Sequence, residues 1–170
     1  LFFPEKRPFF LEGIELFATP NQLVYTRQVV DPIAGGKVTA KFGRYNLALL
    51  SALDESPATD AGFTITRVRR DLGSNSTAGV TLTTRGQHGA FNRVAAADLR
   101  LVFAKLYFVG AQLGGSSTRD SSAGAVRTSP LWEAEIDRTG RSFGFNYKVT
   151  GIGEDFDAQA GFVPRNDIVT

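Results

Sequence analysis

The chain has 170 residues, enough for one domain with a real core, and 42 % of them are hydrophobic, which excludes bulk disorder. A net charge of +2 without any Lys/Arg block gives no nucleic-acid footprint. Cysteine is absent and His88 is the single histidine, so there is no basis for a disulfide framework, a thiolate centre or a His-dependent triad.

Residues 1–20 come first in chain order. Phe2, Phe3, Phe9 and Phe10 stand there with Pro4, Pro8 and the charged trio Glu5, Lys6 and Arg7. Two prolines stiffen such a stretch, so it reads as an extended aromatic linker leading into the first strand. Leu1-Phe2-Phe3 is too short for a signal peptide, and no run approaches the roughly 18 apolar residues of a membrane helix. The absence of Met predicts a piece of a longer protein.

From residue 21 onward the dominant period is two. Lys37 to Phe42 alternates polar and apolar without a fault. Leu131 to Asp137 puts Glu133, Glu135 and Asp137 on one face and Trp132, Ala134 and Ile136 on the other. Residues 142–150 place Phe143, Phe145, Tyr147 and Val149 opposite Asn146 and Lys148. Weaker alternation covers 23–30, 45–53, 62–70, 76–85, 92–103, 105–113 and 156–163. These make about ten strands joined by hairpins, an all-β antiparallel up-and-down sheet.

Connections of unequal length alternate: 31–36 is long and Gly43-Arg44 tight, 54–61 long and 71–75 shorter. Further on, 86–90 is open and Ala104-Lys105 tight, then 114–123 is long and 138–141 tight. Outer-membrane barrels have such a rhythm, with short turns at one rim and longer loops at the other. A barrel also has apolar strand faces toward lipid and polar faces toward a wet interior, so Lys37, Lys41, Glu133, Glu135, Asp137 and Lys148 are expected to face the lumen. A soluble β-sandwich or half-barrel gives each strand the same pattern and remains the alternative. Phe63 and Ile65 share a face with Arg67 and Arg69. Either a bulge flips the register or Arg67, Arg69 and Arg70 are membrane-boundary anchors, which is the simpler expectation.

The segments "FFPEKRPFFLEG" (2–13), "YTRQV" (25–29), "RVRRDLGSNSTAG" (67–79) and "GIGEDFDAQAGFVPR" (151–165) occur together and in order. Over essentially its whole length the chain resembles the barrel portion of a family of bacterial outer-membrane proteins with a leading family-9-like carbohydrate-binding domain. The resemblance implies that residues 21–170 form a partial transmembrane barrel in the bacterial outer membrane. It implies two partners, outer-membrane lipid and the leading domain of the same chain. It implies no catalytic mechanism. Asp157-Ala158 departs from the Asn-Pro-like pair expected after Gly153-Glu154-Asp155-Phe156, which puts any role of that loop in doubt.

Three carboxylates in four residues, Glu154, Asp155 and Asp157, make a weak Ca²⁺ candidate without EF-hand spacing, and a solvated loop is the plainer reading. No cofactor is expected. The row Glu133, Glu135 and Asp137 suits a lumen rim, and alternate strand residues lie about 6.6–7 Å apart, a separation that also suits an inverting glycosidase. Substrate binding or passage across the outer membrane is the leading expectation, with a saccharide as the substrate class that the leading domain of the resemblance implies. A cell-surface glycan hydrolase and a non-catalytic envelope interaction module stand beside it.

Overall fold

A computed structural model describes residues 3–55 and 60–170. Nine antiparallel strands follow one another in a single sheet in chain order: β1 (Pro32–Phe42), β2 (Tyr45–Asp54), β3 (Ala61–Asp71), β4 (Thr77–Gln87), β5 (Ala90–Phe103), β6 (Tyr107–Arg119), β7 (Arg127–Arg138), β8 (Phe145–Ile152) and β9 (Ile168–Val169). The sheet is all-β and up-and-down, and it is not closed. Among the described residues β1 bonds only to β2, and β8 meets β9 only at its Gly151–Ile152 end.

Two predicted strands, 23–30 and 156–163, do not join the sheet. The first contains a short 3₁₀ turn at Thr26–Gln28 and the second is irregular. The two alternating stretches bond to each other instead: Tyr25 N–H donates to Ala160 O and Phe162 N–H to Gln22 O, both at 2.8 Å. Gly161 permits this approach, since a Cβ there would lie 2.7 Å from Gln22 O.

The connections are also less regular than their sequence suggests. The 86–90 stretch tightens to a two-residue turn, His88-Gly89, with φ of +47° and +79°. That is the double left-handed backbone a tight hairpin requires. The link predicted at 138–141 is instead the longer 139–144. The middle of the 54–61 connection lies outside the described residues, as does Phe2.

Register fixes the sheet's two faces. One face is covered. Residues 3–30, with a single helical turn at Pro8–Leu11 and a 3₁₀ turn at Ile14–Phe17, lie over it together with 153–163. Phe10, Phe17 and Val29 bury themselves against Ala48, Leu50 and Ala52 of β2 and Ala61, Phe63 and Ile65 of β3. Leu23, Phe156 and Ala158 do the same against Val94, Ala96, Leu131 and Ile152. The other face is open, and its central positions are apolar: Val38, Leu49, Val68, Val80, Leu82, Leu113, Trp132, Ile136 and Tyr147 are all exposed.

The two ends of the sheet are staggered. Tyr45 lies in one cross-strand row with Arg70, Ala78 and Leu99, and β5 continues past Leu99 to Phe103 before it turns. Strands that step past one another in this way are tilted relative to a common axis.

Candidate functional site

Polar residues of the covered face form continuous rows across the strands. One runs Lys41–Asn46–Arg69–Gly79–Asp98–Gln112–Glu133–Thr150. The next, one pleat further along, runs Asp71–Thr77–Arg100–Gly110–Glu135–Lys148. Both rows arise because the period-two pattern keeps every second residue of each strand on one side. A cavity of about 350 Å³ lies over them, bounded by Ala18–Pro20 above and by side chains from β3 to β8 below. In a flat sheet β3 and β8 would stand roughly 24 Å apart, so a shared cavity of this size means that the sheet curls toward its covered face.

All six residues expected to face an interior lie on the covered face. Glu133 is nearly closed to solvent. Its carboxylate is 2.9 Å from Lys148 Nζ and accepts hydrogen bonds from Asn21 Nδ2 (2.9 Å) and Thr150 Oγ1 (3.3 Å). Glu135 accepts from Asn146 Nδ2 at 2.8 Å, and Asp137 from Thr139 Oγ1 at 2.9 Å. Lys37 Nζ donates to the carbonyls of Phe9 (2.6 Å) and Glu12 (2.5 Å), which ties the first residues to β1. Lys41 Nζ stands 3.6 Å from Asp71.

The three arginines of β3 separate, which corrects the expectation that they form one boundary group. β3 shows no register shift against β2 or β4. Phe63, Ile65, Arg67 and Arg69 therefore do share a face, and it is the covered one. The apolar pair meets Phe10, Phe17 and Val29, and Arg67 meets polar neighbours. Arg67 is buried, donating to both oxygens of Asp98 (2.7 and 2.9 Å) and to Thr81 Oγ1 (2.6 Å). Arg70 alone reaches the open face, over the ring of Tyr45 at 5.4 Å.

Glu154, Asp155 and Asp157 do not converge. Asp155 pairs with Arg127 at 3.3 Å, and Asp157 accepts a hydrogen bond from Gln159 Nε2 at 2.8 Å. Among the described residues no three carboxylates or histidines are placed to hold a metal ion.

Sequence reasoning passed over the polar clasps of the covering segments. Asn21 donates to Gln112 Oε1 from its backbone (2.8 Å) and its amide (2.9 Å), linking the first segment to β6 and β7. Asn92 donates to Asp157 O at 2.9 Å and accepts from Gln159 N–H at 3.0 Å. Glu5 is clasped by Arg7 and by Thr26 Oγ1 (2.7 Å). The Arg7 guanidinium holds the Glu5 carboxyl down at about 2, and Glu5 in turn raises the Arg7 pKa. The polar signal was present in the sequence, but no local spacing pairs Asn92 or Asn21 with partners 65 to 112 positions away.

The open face has a different chemistry. Among the described strand residues it carries no Asp or Glu. Its four cations, Arg70, Arg93, Arg119 and Arg138, each lie within four residues of a strand end. Each guanidinium rests on an aromatic ring: Arg93 and Arg119 on Phe91 at 4.6 and 4.8 Å, Arg138 on Tyr107 and Phe143 at 5.5 and 5.3 Å. Phe103 stacks on Tyr107 at the same end, with centroids 5.2 Å apart.

Comparison with protein-family models, curated proteins and solved structures yields no match.

Proposed function

We propose that this sheet is wall of an outer-membrane β-barrel, its open face against lipid and its covered face lining a wet interior that binds or passes a polar solute. One observation carries the reading. The exposed face is the apolar one, and the charged side chains gather on the face that the covering segments occupy. A soluble sheet does the reverse, because exposing so much contiguous apolar surface to water is unfavourable.

Dimensions agree with it. From Arg93 to Phe103, β5 climbs ten residues, about 33 Å along the strand and about 25 Å in height at a barrel's usual tilt of about 40°. An outer-membrane barrel carries an apolar band of about that height between aromatic girdles. Lipid offers no hydrogen bonds, so in this setting the free edges of β1 and β8 are paired by further strands. The outer-membrane location and the partnership with a leading carbohydrate-binding-like domain belong to the same proposal and rest on the motifs at 2–13, 25–29, 67–79 and 151–165.

The test is partition. Mixed with preformed phospholipid vesicles from a denaturant solution, the protein should float with the lipid and resist extraction at high pH. A chain that stays in the aqueous phase and is monodisperse without detergent would overturn the reading.

A further inference from the structure

The cavity beneath Ala18–Pro20 has walls of opposite character, and its charges are not evenly matched. Arg67, Arg69 and Arg100 line one side, with Asp98 as the only carboxylate there. Both Asp98 oxygens are taken by Arg67. Asp71, in the same row as Arg100, is engaged by Lys41 and Asn46. Arg69 and Arg100 therefore have no carboxylate partner among the described residues. The Nε of Arg69 is closed to solvent and lacks any acceptor. Arg100 has its guanidinium over the Phe108 ring, 4.5 Å from the centroid, a contact that does not use up its N–H donors. The two sit on β3 and β5, two strand spacings or about 10 Å apart, with only Gly79 and Thr77 of β4 between their rows.

The opposite wall is acidic. Glu133 is engaged by Lys148, Asn21 and Thr150. Glu135 takes one hydrogen bond, from Asn146, and retains acceptor capacity. Gly110 keeps the floor between the walls low, since a Cβ there would meet the Phe108 ring at 2.9 Å.

We propose that this cavity binds a small hydroxylated organic anion, its carboxylate held between Arg69 and Arg100 and its hydroxyl groups donating to Glu135. Two guanidinium groups around one carboxylate form the strong, charge-assisted class of hydrogen bond. The acidic wall rejects a second anionic group and rewards donors. The volume, about 350 Å³, accommodates a solute of about a dozen heavy atoms with some water. The assignment stands on the cavity alone and does not require the lipid-facing reading.

Calorimetric titration of the protein, in buffer or in detergent micelles, with D-gluconate, D-glucose and propionate decides it. Gluconate should bind at least about tenfold more tightly than either glucose, which lacks the carboxylate, or propionate, which lacks the hydroxyls. Arg69→Gln and Arg100→Gln should each weaken gluconate about tenfold, whereas Arg70→Gln, on the open face, should leave it unchanged. Glu135→Gln should weaken gluconate and spare propionate. Equal affinities for the three probes, or unchanged gluconate affinity in both arginine variants, would overturn the proposal. If Arg69→Gln loses its β-sheet circular dichroism, Arg100→Gln and the probe series on the unaltered protein still decide.

Discussion

Arg67 of β3 and Asp98 of β5 form a bidentate ion pair across the intervening strand, with both contacts at 2.7–2.9 Å and both side chains closed to solvent. Gly79 of β4 makes the crossing possible. A Cβ there would lie 2.9 Å from the Arg67 guanidinium and 3.1 Å from the Asp98 carboxylate. The pair thus depends on three strands at once. Removing one partner strands a buried charge, so Asp98→Asn should destabilise the fold by about 3–5 kcal/mol in urea unfolding. The double replacement Arg67→Met/Asp98→Leu should recover most of that loss, because two apolar groups leave no unpaired charge. A double variant as unstable as the single would show that the pair matters through some route other than charge burial.

The clasp at Glu5 sets a pH dependence. Its carboxyl titrates at about 2 in the folded chain, against 4.5 unperturbed, chiefly through the hydrogen bond from Arg7. A depressed carboxyl stabilises the fold above its unfolded pKa, and that contribution disappears as pH falls from about 4.5 through about 2. At neutral pH it amounts to at most about 3 kcal/mol. Glu5→Gln should therefore destabilise the protein at pH 7 and make little difference near pH 2. Equal destabilisation at both pH values would detach the effect from this ionisation.

Phe10 anchors the first segment to β2 and β3 from within the core. Phe10→Ala should cost about 3–4 kcal/mol, within the usual range for a buried aromatic truncated to Ala. Proteolysis between residues 11 and 30 should accelerate in parallel, since the segment then depends on Phe17, Leu23, Val29 and the polar clasps at Lys37, Asn21 and Tyr25. An unchanged cleavage rate would mean that the cover's other contacts hold it without Phe10.

Leu82 sits half-exposed at the middle of the open face. If that face meets lipid, Leu82→Arg should lower membrane insertion by about 2–4 kcal/mol, the cost of an arginine at the bilayer midplane. Thr84→Arg, nearer the strand end, should cost less. Vesicle-binding titrations measure both, and equal effects would show that depth plays no part.

Trp132 is the single tryptophan and stands on the open face over Gly151. It reports on that face without interference. In vesicles its emission should shift to the blue and be quenched by lipids brominated along the acyl chain. Quenching by aqueous iodide of equal strength with and without vesicles would place the indole outside the bilayer.

Alternation by itself determined eight of the strands, their antiparallel pairing and which residues share a face. Side chains on a strand must point to opposite sides in turn, so the sequence alone groups Lys37 with Lys41, Glu133 with Glu135 and Asp137, and Phe63 with Arg67. What lies over a face is a long-range matter that period cannot encode. Phe63 and Ile65 look lipid-facing until Phe10 and Phe17 are seen to cover them, and Arg67 looks like a boundary anchor until Asp98 comes within 3 Å. The stretches 23–30 and 156–163 alternate as strands do, yet their partners are each other. Only the tertiary structure could decide that, because hydrogen-bond pairing depends on which chains meet in space, and residues more than 130 positions apart leave no local trace of meeting.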